Sequence, residues 1–165
     1  MGSGELARHF SKWTVCGSIR RQCETVKDID IVAIRRPESE YKFGELGLEA
    51  WITGLDPLGS SEAKEKGISR YLNGSLIKRF QYKEISVDLY LADQSTFETL
   101  KLIRTGSAEH NIRLTTLAMS KNLKLKANGT GLVERNDESK IIENTEDGIL
   151  MALLGRIPKP EQRGT

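Results

Sequence analysis

The sequence predicts an α+β protein in two unequal parts, strand-rich to about residue 94 and mixed beyond it. Three observations predict this. Residues 28–34 and 85–91 are β-branched and apolar, as strands are. Helical spacing of apolar residues takes over after Asp93. Asn-Gly dipeptides at 73–74 and 128–129 punctuate extended runs.

Each element has its own signal. Leu6, Phe10 and Trp13 stand near helical spacing and predict a first helix over 5–13, followed by a short strand over 14–16 that ends at Gly17-Ser18. Pro37 closes the strand over 28–34. Residues 41–51 read as a helix broken around Asp56-Pro57. Runs 68–72 and 75–80 flank Asn73-Gly74 and predict a two-residue hairpin. In the strand over 85–91, Val87, Leu89 and Leu91 share one face and Ser86, Asp88 and Tyr90 the other. Ser95-Thr96-Phe97-Glu98 has capping-box form and starts a helix that stops at Thr105-Gly106-Ser107. A second helix spans 108–120 with Leu114, Leu117 and Ala118 buried. Short strands follow at 123–126 and 131–134. A last helix within 143–154 is capped by Asn144 or Thr145 and stopped by Gly155 and Pro158.

With 165 residues, 38% hydrophobic and 29% charged, the chain can bury a core without staples and does not have a disordered composition. No apolar run approaches a membrane span, and the N-terminus lacks the pattern of a secretory leader. Cys16 and Cys23 form neither a disulfide framework nor half a zinc site, so two free thiols inside the cell, in a reducing compartment such as cytoplasm, nucleoid or viral factory, are expected. A net charge of +2 and a pI near 8.5 neither require nor forbid a nucleic-acid partner.

The chemistry concentrates at Asp28 and Asp30. Positions i and i+2 of a strand share a face, so two carboxylates stand side by side with apolar Ile29 and Ile31 turned away. Like charges that close repel unless a cation lies between them, and a hard divalent metal with oxygen ligands is the natural one. The plainer alternative is an edge strand with both acids in water. Asp88 tilts the balance. If its strand lies beside the first, three acids converge with no lysine nearby, which suggests a one- or two-metal site. Upstream, Gly17-Ser18 with Arg20-Arg21 can present amides, a hydroxyl and a guanidinium to a phosphate. By itself that motif is as well read as a turn with solvated cations.

Taken together, Gly17-Ser18-Ile19-Arg20-Arg21, six residues and then Asp28-Ile29-Asp30 resemble the nucleotidyltransferase signature of family X DNA polymerases, the polymerase β-like group. Val87-Asp88-Leu89 resembles that family's third acidic strand. Thr105-Gly106-Ser107 and the helix after it, then Thr145-Glu146-Asp147 and the ending Ile157-Pro158-Lys159-Pro160, resemble further family blocks in the same order.

The resemblance implies a nucleotidyltransferase palm over 1–94, a mixed sheet flanked by helices, and an α+β thumb over 95–165. Because the matching residues start almost at the palm, the expectation is a minimal palm-plus-thumb form without lyase or helix-hairpin-helix domains, acting as a monomer, or else a piece of a longer chain. Asp28, Asp30 and Asp88 are then the catalytic acids and would bind two Mg²⁺ ions, with Mn²⁺ as substitute. Gly17, Ser18, Arg21, Gly106, Ser107 and Asn111 would bind a deoxynucleoside triphosphate, with a cis peptide at the Gly106-Ser107 turn. The implied reaction is template-directed extension of a primer 3′-hydroxyl on primer-template or gapped DNA, as in repair. The chain departs from the family at Ile103 and Arg104, where an aromatic pair is common, and at Thr115, where arginine is. This leaves discrimination against ribonucleotides open.

Arg104, Arg113, Lys121, Lys124 and Lys126 are the candidate DNA-binding residues. Between positions 96 and 126 the only acids are Glu98 and Glu109. A solvated basic helix face is the plainer alternative. Two other functions compete: the same chemistry on an RNA end, a protein or a small molecule, and a non-catalytic nucleic-acid-binding module.

Overall fold

The computed structural model describes residues 3–41, 45–55, 72–82 and 85–163. Three antiparallel pairs and one parallel pair build its larger sheet. β1 (Phe10–Val15), β2 (Asp28–Arg35), β5 (Ile85–Ala92), β4 (Ile77–Tyr82) and β3 (Leu72–Asn73) lie in that order, with β2 and β5 parallel. Apolar side chains on one face of this sheet, among them Ile31, Ala33, Phe80, Val87 and Leu89, pack with Leu6 and Phe10 and with Leu48 and Ile52 of α3 (Leu48–Leu55). On the other face Val32 and Tyr90 meet Cys16 and the Phe97 and Leu100 side chains of α4 (Phe97–Thr105). The acids of β2 occupy the even-numbered face and so open on this second side.

A smaller antiparallel sheet, β6 (Leu123–Lys126), β7 (Gly131–Glu134) and β8 (Ile141–Glu143), packs with α5 (Ala108–Ser120) and α6 (Glu146–Leu154). Leu102 of α4 joins Leu114, Leu132, Ile149 and Leu150 in a core without solvent access. Each such side chain contributes about 1.5–3 kcal/mol by burial. Helix α4 therefore turns Phe97 and Leu100 to one sheet and Leu102 to the other. Among the described residues no helix is long and apolar enough to cross a membrane.

Several elements differ from the sequence expectation. The predicted helix over 5–13 is α1 (Ser3–His9) followed directly by β1, which pairs with β2 through Trp13↔Ala33. Pairing wins because it satisfies the backbone groups on the open edge of β2. The predicted helix over 41–51 is a 3₁₀ turn at Glu38–Glu40 and the later α3; residues 42–44 lie outside the described part. Asn73 pairs with Lys78, so the turn is one of four residues from Gly74 to Ile77, closed by the Gly74 N–H to the Ile77 carbonyl at 2.9 Å. The rest of the predicted strand over 68–71 lies outside the described residues. The capping box at Ser95 does not form. Asp93 accepts from the Ser95 and Thr96 amides instead, and Glu98 pairs with Lys12 and Lys101. Strand β8 carries an unremarkable sequence and was not expected.

Candidate active site

Asp30 and Asp88 are register partners across the parallel β2–β5 pair, and Asp28 stands two residues before Asp30. Pleating therefore turns all three toward one face. Their proximity has an electrostatic consequence. Burial first, then the charges of Asp28 and Asp88, push the Asp30 carboxyl up to about 6, against the pull of Arg104 and Arg21.

The three are not gathered into a chelating cluster. Among the described residues no group of three or more His, Cys, Asp or Glu side chains is placed to hold a metal ion. Asp88, 6% exposed, already faces a cation of the chain. Arg79 Nε and Nη2 donate to its two oxygens at 2.5 Å each, and the Tyr90 hydroxyl donates at 3.3 Å. This corrects the picture of three acids with no neighbouring cation. The bidentate pair holds Arg79 above its ordinary pKa. In kind, the donor set suits a hard divalent ion: oxygen donors only, one with a raised pKa that a cation would lower. Assembling all three requires Asp88 to leave Arg79.

Beside the acids lies α2 (Gly17–Arg20). Gly17 has φ +58°, and a Cβ there would stand 2.0 Å from Asp30 Oδ2. Glycine adopts that φ without strain and leaves room for Asp30, and the close approach sets α2 against the carboxylates. Ser18 Oγ and Arg21 Nε are buried without a partner. Arg21 Nη1 donates to the Thr105 carbonyl, and a Cβ on Gly106, whose φ is +69°, would meet that same Nη1 at 3.0 Å. The two glycine turns, remote in sequence, thus meet at Arg21. The Gly106–Ser107 peptide is cis. Ser107 caps α5 by accepting from the His110 amide at 3.3 Å. Asn111 donates to the Ile103 carbonyl at 2.8 Å and leaves its Oδ1 buried and unpaired.

Arg20 does not face the acids. It forks onto Glu146 at 2.7 and 2.8 Å and donates to Thr105 Oγ1 at 2.6 Å. Glu146 also takes Arg163 at 2.6 Å and Lys101 at 3.1 Å. Burial pushes the Glu146 carboxyl up, but the hydrogen bonds from Arg20 and Arg163 override it and hold it down at about 2. The Ser107 amide donates to the Arg163 carbonyl at 3.2 Å, so this network also steadies the glycine turn.

The candidate DNA-binding residues are dispersed. Arg104 lies over the Tyr90 ring, 4.0 Å from its centroid, beside the acids and with Nε buried and unpaired. Lys124 and Lys126 both pair with Glu138, an acid outside the counted window, brought in by the chain between β7 and β8. Lys121 donates to the Ala152 carbonyl at 2.6 Å, in the last turn of α6. Arg113 is exposed.

Sequence reading missed Arg79 and the role of Glu146. A signal existed for the first. Strands β4 and β5 are separated by two residues, which sets the register Tyr82↔Ile85 and hence Arg79↔Asp88. In the sequence Glu146 is marked only as part of the Thr145-Glu146-Asp147 block, with no role, because its partners come from α2, α4 and the C-terminal segment.

Residues 101–164 match the family model for the DNA polymerase beta thumb. The DNA polymerase/3′-5′ exonuclease PolX of Bacillus subtilis (strain 168) is 30% identical over 129 residues, 78% of this chain, while the chain spans 20% of that protein's length. Two crystal structures of Leishmania infantum polymerase beta, a ternary P/T complex and a ternary gap complex, each match with a TM-score of 0.64. Identity to them is 21% and 20%, over 97% of this chain and 69% and 64% of theirs, which speaks for the α+β fold. The thumb match, the PolX relative and the shared fold together show a relationship to the family X, polymerase β-like proteins.

Proposed function

We propose that this chain is a template-directed DNA polymerase that adds deoxynucleotides to a primer 3′-hydroxyl, with residues 1–94 as palm and 95–165 as thumb. The observation that carries the reading is the pair of unpaired buried polar atoms beside Asp30, Ser18 Oγ and Arg21 Nε, with a third, Asn111 Oδ1, in the first turn of the helix that follows the Gly106 turn. Buried polar groups are nearly always hydrogen-bonded, so a cluster of exceptions calls for a ligand. The α2 amides, Ser18 and Arg21 offer donors to a triphosphate, and Asn111 offers an acceptor to the sugar or base edge. The Gly106-Ser107 turn would lie along the sugar.

Magnesium, or manganese in its place, held by Asp28, Asp30 and Asp88 would neutralise charge on the triphosphate and lower the pKa of the 3′-hydroxyl. The chain does the positioning. Asp88, released from Arg79, is the acceptor for the hydroxyl proton. Ser18 and Arg21 hold the leaving pyrophosphate while the 3′-oxygen attacks the α-phosphate in line. Arg20, tied to Glu146, keeps α2 in place during this step.

A labelled primer on a one-nucleotide-gapped template, offered each nucleotide in turn, tests the reading. Single additions dictated by the template are expected. One observation favours transfer to another acceptor: Lys124 and Lys126 are both engaged by Glu138. No primer extension, together with nucleotidyl transfer to an RNA end, a protein or a small molecule, would support that second reading.

A further inference from the structure

A second polar site lies beyond the Glu146 network. A cavity of about 140 Å³ opens between the first turns of α5 and the segment that follows α6. Its walls include Glu109, His110, Arg113, Arg156, Gln162 and Arg163. His110 is 9% exposed, and its Nε2 is buried with no hydrogen-bond partner. Burial, then the nearby charges of Arg163 and Arg113, press the imidazole down to about 4, so it is neutral and carries one N–H. Arg163 is already bound to Glu146 and to the Pro158 carbonyl. Arg113 and Arg156 are exposed, and neither has an ion pair among the described residues. The one acid on the wall, Glu109, takes a hydrogen bond from the Ser107 hydroxyl.

We propose that this cavity is an anion subsite that takes a phosphate group of a nucleic-acid strand, gripped by Arg113 and Arg156 with His110 as the buried donor. Three features support it jointly. The volume admits one tetrahedral anion. Such an anion would satisfy the orphaned Nε2, whose lack of a partner is otherwise destabilising. The site sits at the positive end of the thirteen-residue α5, whose dipole favours negative charge there. The first residue of α5 directly follows the Ser107 turn, so a strand that reaches the nucleotide site passes close by. The nucleic-acid assignment rests on the proposed polymerase function; the anion site itself does not. The phosphate could be a terminal monoester or an internal diester, which share this chemistry.

Two measurements on the full chain decide the matter. In the first, protein carrying ¹⁵N-histidine is titrated with inorganic phosphate at constant ionic strength. A saturable shift of the His110 Nε2 resonance is expected, and its loss in Arg156→Gln, an exposed position where folding is not at stake. In the second, binding is measured to a gapped duplex whose downstream strand ends in a 5′-phosphate or a 5′-hydroxyl. A monoester subsite favours the phosphorylated end by about tenfold, one charge-assisted hydrogen bond's worth, and Arg156→Gln abolishes the preference. A diester subsite weakens both duplexes equally in the variant and lowers the salt slope by about one. A His110 resonance indifferent to phosphate, or unchanged affinities and slope in Arg156→Gln, overturns the proposal. If wild type binds neither duplex while His110 still responds to phosphate, the polymerase reading and the nucleic-acid assignment fall and the anion site stands.

Discussion

Two charged clusters meet along α2 and α4, and they are built on opposite terms. Around Glu146, donors and acceptors match: Arg20, Lys101, Thr105 and Arg163 converge, and none of their buried polar atoms is left over. Around Asp28, Asp30 and Asp88 the charges repel, and Ser18, Arg21 and Arg104 keep unpaired atoms. The difference separates structure from function. A balanced buried network makes a rigid joint, because removing any member leaves an uncompensated charge. An unbalanced one stores unfavourable energy that a ligand can relieve, which is how perturbed groups come to mark reactive sites. Here the balanced cluster fastens α2 to the thumb-matching segment, and so holds the unbalanced one in register.

Four changes test that contrast, taken from the largest effect to the smallest. Asp88→Asn should cut nucleotidyl transfer by about a thousandfold or more, since the proposed proton acceptor is lost. Nucleotide binding should persist through Asp28, Asp30, Ser18 and Arg21. Single-turnover extension alongside nucleotide titration checks this, and near-normal turnover would remove Asp88 from its role. Glu146→Gln should act on the fold instead. Stranding Arg20 and Arg163 in the interior should cost about 3–5 kcal/mol in urea unfolding. Stability unchanged within error would mean that the joint is ornamental.

Asp30→Asn should do the reverse in metal-free solution. The folded carboxyl titrates at about 6 and the unfolded one at 3.8. The folded state therefore holds its proton longer, and stability falls as pH rises through that window. Asparagine should abolish the fall and leave the variant more stable by roughly 2–3 kcal/mol at pH 7.5. Chemical denaturation across pH 3.5 to 7.5 with chelator present is the measurement, and parallel curves for the two proteins would contradict it. Arg104→Phe is the mildest change. It exchanges the guanidinium stacked on Tyr90 for a ring and deletes the charge beside Asp30. Preference for deoxynucleotides should sharpen by roughly three- to fivefold if position 104 lies along the sugar. An unaltered ribose-to-deoxyribose ratio would place Arg104 with the acids alone.

The sequence by itself determined the pieces whose causes are local. Alternation in 85–91 marked Asp88 and Tyr90 for a shared face, and Asp28-x-Asp30 paired two carboxylates, because side-chain direction in a strand has a period of two. Apolar spacing and caps delimited α5 and α6, with Ser107 and Thr145 accepting from amides three residues on. Tertiary structure alone decided what depends on contacts remote in the chain. It made a strand of residues 10–15 because β2 needed a partner. It drew Arg104 onto Tyr90 and gathered three cations around Glu146. Charge acts through space, so whether an acid is matched or stranded is settled by its neighbours in the fold and leaves no trace in local residue order.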